Sequence, residues 1–162
     1  MGPAGATIVV VREDLIGKQR KDTPILCDWE AFSKAPTTFY NTPCCWSIYM
    51  CGLNIEYMLE QGGIPVMAEK AEQRSKLLYD FLDSTDGYYH NNVKPQFRSR
   101  MNIPFRVGYS DEDLENKFIR ESSEAGLIDL KGHKSVGGIR ASIYNAMPIE
   151  GVQALINFCK KF

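Results

Sequence analysis

In the stretch GHKSVGGIRASIYNAMP, residues 132–148, His133 and Lys134 precede the pair Gly137-Gly138, and Arg140 follows it. Alternation along an extended chain puts Ile139, Ala141 and Ile143 on one face and Arg140, Ser142 and Tyr144 on the other. Arg140 then projects from a rigid strand, where its guanidinium presents the fixed fork of donors that grips a carboxylate through two parallel bonds. The glycine pair permits tight backbone conformations and close approach of a ligand. With His133 and Lys134 on its other side, the stretch has the makings of a receptor for a small dianion. The same residues also allow a plainer arrangement, with Lys134 solvated, His133 hydrogen-bonded inside its loop and Arg140 paired with a structural acid.

A second candidate anion site is YNTP, residues 40–43. If a helix starts there, its first N–H groups are unpaired and carry partial positive charge, and Asn41 and Thr42 add side-chain donors suited to a phosphate. Simple capping by Thr42 is the alternative.

These residues need elements to hold them. Residues 6–11, apolar and β-branched, read as a buried strand. A polar, irregular stretch follows to about residue 39, with Pro24 and Pro36 blocking long helices. From Thr42 as cap and Pro43 in the first turn, an apolar helix runs to Gly62-Gly63. Trp46, Ile48, Tyr49, Leu53, Ile55 and Leu59 leave it almost no polar face, so it should be covered by another domain or subunit. An amphipathic helix spans residues 65–83, with Leu77, Leu78, Phe81 and Leu82 inward. Short strands follow near DGYYH and MNIPFRVG, Pro104 favouring an edge or bulge in the latter. An acid-started helix closed by Gly126, a strand over residues 139–144 and a last helix over residues 148–161 complete the order. In that last helix Ile149, Val152, Leu155, Ile156 and Cys159 share a face. The fold class expected is α/β, with an α+β-like small domain of helices packed on one face of a small, mostly antiparallel sheet.

Composition sets the outer bounds. A chain of 162 residues, 44% hydrophobic and 24% charged, is that of an ordinary globular protein. Its length lets a single domain bury roughly 70% of its unfolded surface. The 19 basic and 20 acidic residues are interspersed for a net charge of −1, which gives no polybasic face for nucleic acid or an anionic membrane. No apolar run approaches the ~20 residues of a membrane span, and no signal-like leader opens the sequence, so a cytoplasmic protein is expected. Five cysteines, Cys27, Cys44, Cys45, Cys51 and Cys159, form an odd set without metal-ligand spacing. They read as buried, inert thiols in a reducing compartment, with no metal.

The motifs GPAG with its apolar strand and VREDL, YNTP ahead of an apolar helix, RSRMNIPFR, and LKGHKSVGGIRASIYNAMPIEGVQALINF resemble the C-terminal part of the phosphoserine aminotransferases. The resemblance runs over essentially the whole chain. It implies a pyridoxal-phosphate-dependent homodimer of fold type I that exchanges an amino group between glutamate and 3-phosphohydroxypyruvate in serine biosynthesis, giving phosphoserine. Asn41 and Thr42 would then contact the cofactor phosphate of the opposite subunit. His133 and Lys134 would bind the substrate phosphate or the glutamate side-chain carboxylate, and Arg140 the α-carboxylate. Residues 1–64 would be the remnant of the large cofactor domain and residues 65–162 the small C-terminal domain.

Two departures stand against that pattern. Lys134 occupies a position where the family usually has arginine, which keeps the charge and loses the bidentate fork. The Schiff-base lysine of the pattern would fall just upstream of Met1, so the chain by itself is expected to be catalytically incomplete, with no catalytic residue of its own. The alternative function is a free-standing, non-catalytic module that binds a small anion or a full-length subunit.

Overall fold

The computed structural model describes residues 2–37 and 39–162. The chain divides into two compact units, Met1–Glu60 and Gln61–Phe162. Among the described residues no helix is long and apolar enough to cross a membrane.

In the first unit, residues 6–12 form no ladder, contrary to the expected strand. Ile8 and Val10 are 71% and 93% exposed. A β-branched run makes a strand only when a neighbour takes up its backbone groups, and among the described residues none pairs with it. The polar stretch holds single turns of tight helix at Glu13–Leu15 and Ile25–Cys27, then the short helix α1, Trp29–Ser33. Asp28 caps α1, its carboxylate accepting the Glu30 N–H at 2.9 Å.

Helix α2 spans Cys45–Glu60. It begins later than the Thr42 cap predicts, because Cys44 takes the cap position: its carbonyl accepts the Ile48 N–H at 3.1 Å. The Cys44 thiol is drawn below its ordinary range by its hydrogen bond with the Ser47 hydroxyl and then by that with the Ser47 N–H. The loop over residues 2–5 lies on the 44-47-51 stripe of α2, where the Ser47 hydroxyl donates to the Ala4 carbonyl at 2.8 Å. Ser47 is the one buried residue of α2, and Trp46, Tyr49 and Leu59 are more than half exposed.

The second unit contains α3 (Gly63–Asp83), β1 (Tyr89–His90), β2 (Asn102–Val107), α4 (Glu112–Glu124), β3 (Ile139–Ser142) and α5 (Ile149–Cys159). The strands pair antiparallel in the order β1-β2-β3. Ile103, Phe105 and Val107 of β2, with Ile139, Ala141 and Ile143, turn to one face and are at most 4% exposed. Leu78 and Leu82 of α3, Phe118 of α4, and Val152, Leu155 and Ile156 of α5 cover them. Helices therefore lie on one face of the sheet, as periodicity predicts. Ile149 departs from its expected core position at 42% exposed, because it opens α5 beyond the edge of that cover. Tyr89 is buried and its hydroxyl donates to the Cys159 carbonyl at 2.8 Å.

Pro104 sits in the central strand rather than on an edge. The Ile143 N–H donates to Met101 O, which fixes the ladder phase, so Pro104 and Arg140 face each other as a pair that exchanges no hydrogen bonds. The backbone of Pro104 thus points toward β1, which is only two residues long and pairs with Val107 and Arg106 alone. The Asn91 side-chain amide donates to the Pro104 carbonyl there instead. Proline is tolerated because the strand is locally unflanked at that residue.

The cysteines also depart from expectation. Cys27, Cys44 and Cys45 are exposed, Cys51 is partly buried and only Cys159 is buried. The first four lie in the unit that has little core of its own.

Candidate functional site

The face of the sheet turned away from the helices carries Asn102, Pro104, Arg106, Arg140 and Ser142, the alternate residues of β2 and β3. Beside it the loop over residues 132–138 closes on itself. The Gly132 N–H donates to Gly138 O at 2.8 Å, and the N–H groups of Val136 and Gly137 both reach His133 O at 2.8 Å. The Arg140 N–H donates outward to Leu130 O at 2.8 Å, tying the loop's entry to β3. Glycine is required at this closure: a Cβ on Gly132 would stand 2.0 Å from Gly137 O. Gly138, at φ +68°, lies so close to Arg106 that a Cβ would come within 2.7 Å of its Cδ.

His133 is exposed, and its Nδ1 lies 2.7 Å from Ser135 Oγ and accepts the Ser135 N–H at 3.3 Å. With Nδ1 accepting that backbone N–H, Nε2 is the ring nitrogen left to donate. Lys134 is exposed and forms no ion pair with any described residue. Arg140 is partly buried; its Nε is fully enclosed and has no hydrogen-bond partner. Among the described residues no acid pairs with Arg140, so the structural acid of the plainer arrangement is not found there. A buried guanidinium nitrogen without an acceptor is a strong demand for an anion.

Two clefts meet at the loop. One of about 290 Å³ has Tyr79, Asn102, His133, Val136 and Arg140 in its wall, so His133 and Arg140 share it. The other, about 320 Å³, gathers Arg106, Lys131, His133 and Lys134 with Glu112 and Glu115. His133 belongs to both, and the predicted trio is thus joined through it. Asn41 and Thr42 belong to the other unit, where both are exposed on irregular backbone ahead of α2.

Arg106, Lys131 and Asn102 are polar residues of the site that sequence reading passes over. Alternation puts Arg106 and Asn102 on the face opposite the apolar Ile103, Phe105 and Val107, but does not say which residues of β3 they meet. Lys131 is placed by an isolated bridge to Ile139, which no periodicity announces.

Among curated proteins, the chain is 52% identical over its whole length to the phosphoserine aminotransferase of Histophilus somni (strain 129Pt). It is 45% identical to phosphoserine aminotransferase 2, chloroplastic, of Arabidopsis thaliana. It spans 44% of the length of the first relative and 38% of the second. Among solved structures, a phosphoserine aminotransferase studied for radiation damage of its Schiff base matches with a TM-score of 0.90 and 35% identity, over 99% of this chain and 44% of that one. A pyridoxal-phosphate-bound phosphoserine aminotransferase from Trichomonas vaginalis matches with a TM-score of 0.79 and 36% identity, over 87% of this chain and 39% of that one. The family model of the class-V aminotransferases matches residues 1–155, and the chain belongs to that family.

Proposed function

We propose that the chain is the C-terminal portion of a phosphoserine aminotransferase, in which it supplies the anion receptors for glutamate and phosphoserine. The observation that carries this reading is the enclosed, unpartnered Nε of Arg140 in a cleft shared with His133. Arg140 holds the α-carboxylate common to both amino acids and to their keto acids. His133 donates from Nε2, and Lys134 adds a charge, at the distal phosphate or side-chain carboxylate. Residues 65–162 then form the small domain and residues 1–64 part of the cofactor domain. The exposed apolar side chains of α2, among them Trp46, Tyr49 and Leu59, fit burial in a homodimer.

The donor set at residues 41–42 fits the phosphate end of pyridoxal phosphate, a neutral amide and a hydroxyl side by side on exposed backbone just before a helix. Asn41 and Thr42 hold that phosphate in the partner's site. Pyridoxal phosphate, when bound, supplies the carbonyl that takes up the amino group and the ring that draws electrons from the substrate's α-carbon. This chain's own part is to bind and orient: Arg140 fixes the carboxylate end, and the loop over residues 132–138 fixes the other. With five free thiols, the protein suits a reducing compartment such as the cytoplasm.

The test is Arg140→Ala in the full-length enzyme. Loss of a charge-assisted contact worth about 1.5–3 kcal/mol should lower kcat/KM at least tenfold for glutamate and for phosphoserine alike. Unchanged kinetics with both substrates would refute the assignment and make Arg140 a structural residue.

A further inference from the structure

Asn102 of β2 stands directly opposite Ser142 of β3, on the sheet face that carries Arg140. Its Oδ1 accepts two hydroxyls, Ser142 Oγ at 3.1 Å and Tyr144 Oη at 3.2 Å. A carboxamide oxygen has two lone pairs, so this pair of hydroxyls saturates it and fixes which end of the amide points where. The Nδ2 end, with two N–H donors, is left without a hydrogen bond to any described residue. Asn102 lines the same 290 Å³ cleft as Arg140 and His133. Pro104 is the residue facing Arg140 across the ladder, which makes Asn102 its diagonal neighbour on the same face, about 7–8 Å away between backbones and within joint reach of one small group.

We propose that Asn102 is a further substrate-binding residue, whose Nδ2 donates to the carboxylate held by Arg140, with Ser142 and Tyr144 as the positioning residues that aim it. The inference rests on the carboxylate reading of Arg140 above. A carboxylate offers about four lone-pair sites. A guanidinium fork takes two of them, which leaves the others free to accept from further donors. Asn102 supplies a neutral donor there and adds no second positive charge.

Asn102→Asp in the full-length enzyme separates this role from a merely structural one. Aspartate keeps an acceptor for both hydroxyls but removes the donor and sets a negative charge against the substrate carboxylate. The KM values of glutamate and phosphoserine should both rise about tenfold or more, with the thermal midpoint within a few degrees of the parent. A structural Asn102 would instead leave both KM values within about twofold, and that result overturns the proposal. Tyr144→Phe gives an independent measure if the aspartate variant does not fold. Loss of one aiming hydroxyl should raise both KM values about threefold with kcat little changed, and no change would overturn the proposal. Arg140→Lys, assayed alongside, keeps the two readings apart. Unchanged KM values there remove the carboxylate assignment itself, whereas a loss at Arg140 with none at Asn102 or Tyr144 overturns only the present inference.

Discussion

The Glu115 carboxylate of α4 holds Arg106 of β2: Oε1 accepts from Arg106 Nε at 2.6 Å and also from the Val107 N–H at 3.2 Å. The Glu115 side chain is 6% exposed and that of Arg106 22%. Arg106 in turn passes under Gly138, so the pair braces the hinge of the loop that carries His133 and Lys134. Removing one member of a buried pair leaves the other uncompensated. Glu115→Ala is expected to destabilise the chain by about 3 kcal/mol in urea unfolding, and Glu115→Gln, which retains an acceptor for the Val107 N–H, by clearly less.

The loop closure makes a second expectation. At Gly132 an added methyl would lie 2.0 Å from the Gly137 carbonyl oxygen, and a backbone carbonyl inside a closed loop has nowhere to go. At Gly126, φ +84°, the added methyl meets open space, and only the left-handed conformation penalises it, by about 1–2 kcal/mol. Gly132→Ala should therefore open the loop, seen as lost hydrogen-exchange protection of the Gly132, Val136 and Gly137 amides. Gly126→Ala should lower stability modestly and leave those amides protected.

Arg98 offers a pH-dependent test. Its guanidinium makes a bidentate pair with Asp83 at 2.6 and 2.7 Å and lies 4.6 Å above the ring of Tyr79, which lines the cleft shared by His133 and Arg140. Hydrogen bonding from Arg98 holds the Asp83 carboxyl below its ordinary value, with burial opposing it. A carboxyl lowered in the folded state stabilises above the ordinary carboxylate range, and that contribution is lost as pH falls through the lowered value. Asp83→Asn should thus be less stable than the parent at neutral pH, with the gap closing on acidification; a gap independent of pH would contradict the pairing.

Legibility followed the location of partners. Elements α3 to α5 and the strands at residues 102–107 and 139–142 pack on one another, so the alternation and helical spacing of Ile103, Phe105, Ile139, Val152 and Leu155 announced both their type and their inward face. The run at residues 6–11 carries the same β-branched signal, yet no described residue pairs with it, and composition cannot show whether a ladder partner is at hand. At the start of α2, Thr42 is the better cap by propensity, but the sulfur of Cys44 accepts from Ser47 and takes the position. His133, Lys134 and Arg140 were legible because a motif gathers them within a few residues. Asn102 was not, since only the pairing of Asn102 with Ser142 brings it beside Arg140, and register between distant strands is invisible in one sequence.

Lys134 bears on which anion the loop reads. It is exposed beside the cleft that also contains Arg106, Lys131 and His133, and Glu115 already occupies the Arg106 Nε, so Lys134 is a cation left for a ligand there. A lysine acts on phosphate as a point charge, whereas arginine matches two oxygens at once. Lys134→Arg in the full-length enzyme should hold or improve kcat/KM for phosphoserine. Lys134→Ala should reduce it more for phosphoserine than for glutamate, because a phosphate carries about −1.5 to −2 charges near neutral pH and a carboxylate one. The ratio of the two efficiencies is the quantity to measure, since it cancels general damage to folding or to cofactor binding. An unchanged ratio after Lys134→Ala would mean that this loop does not distinguish phosphate from carboxylate.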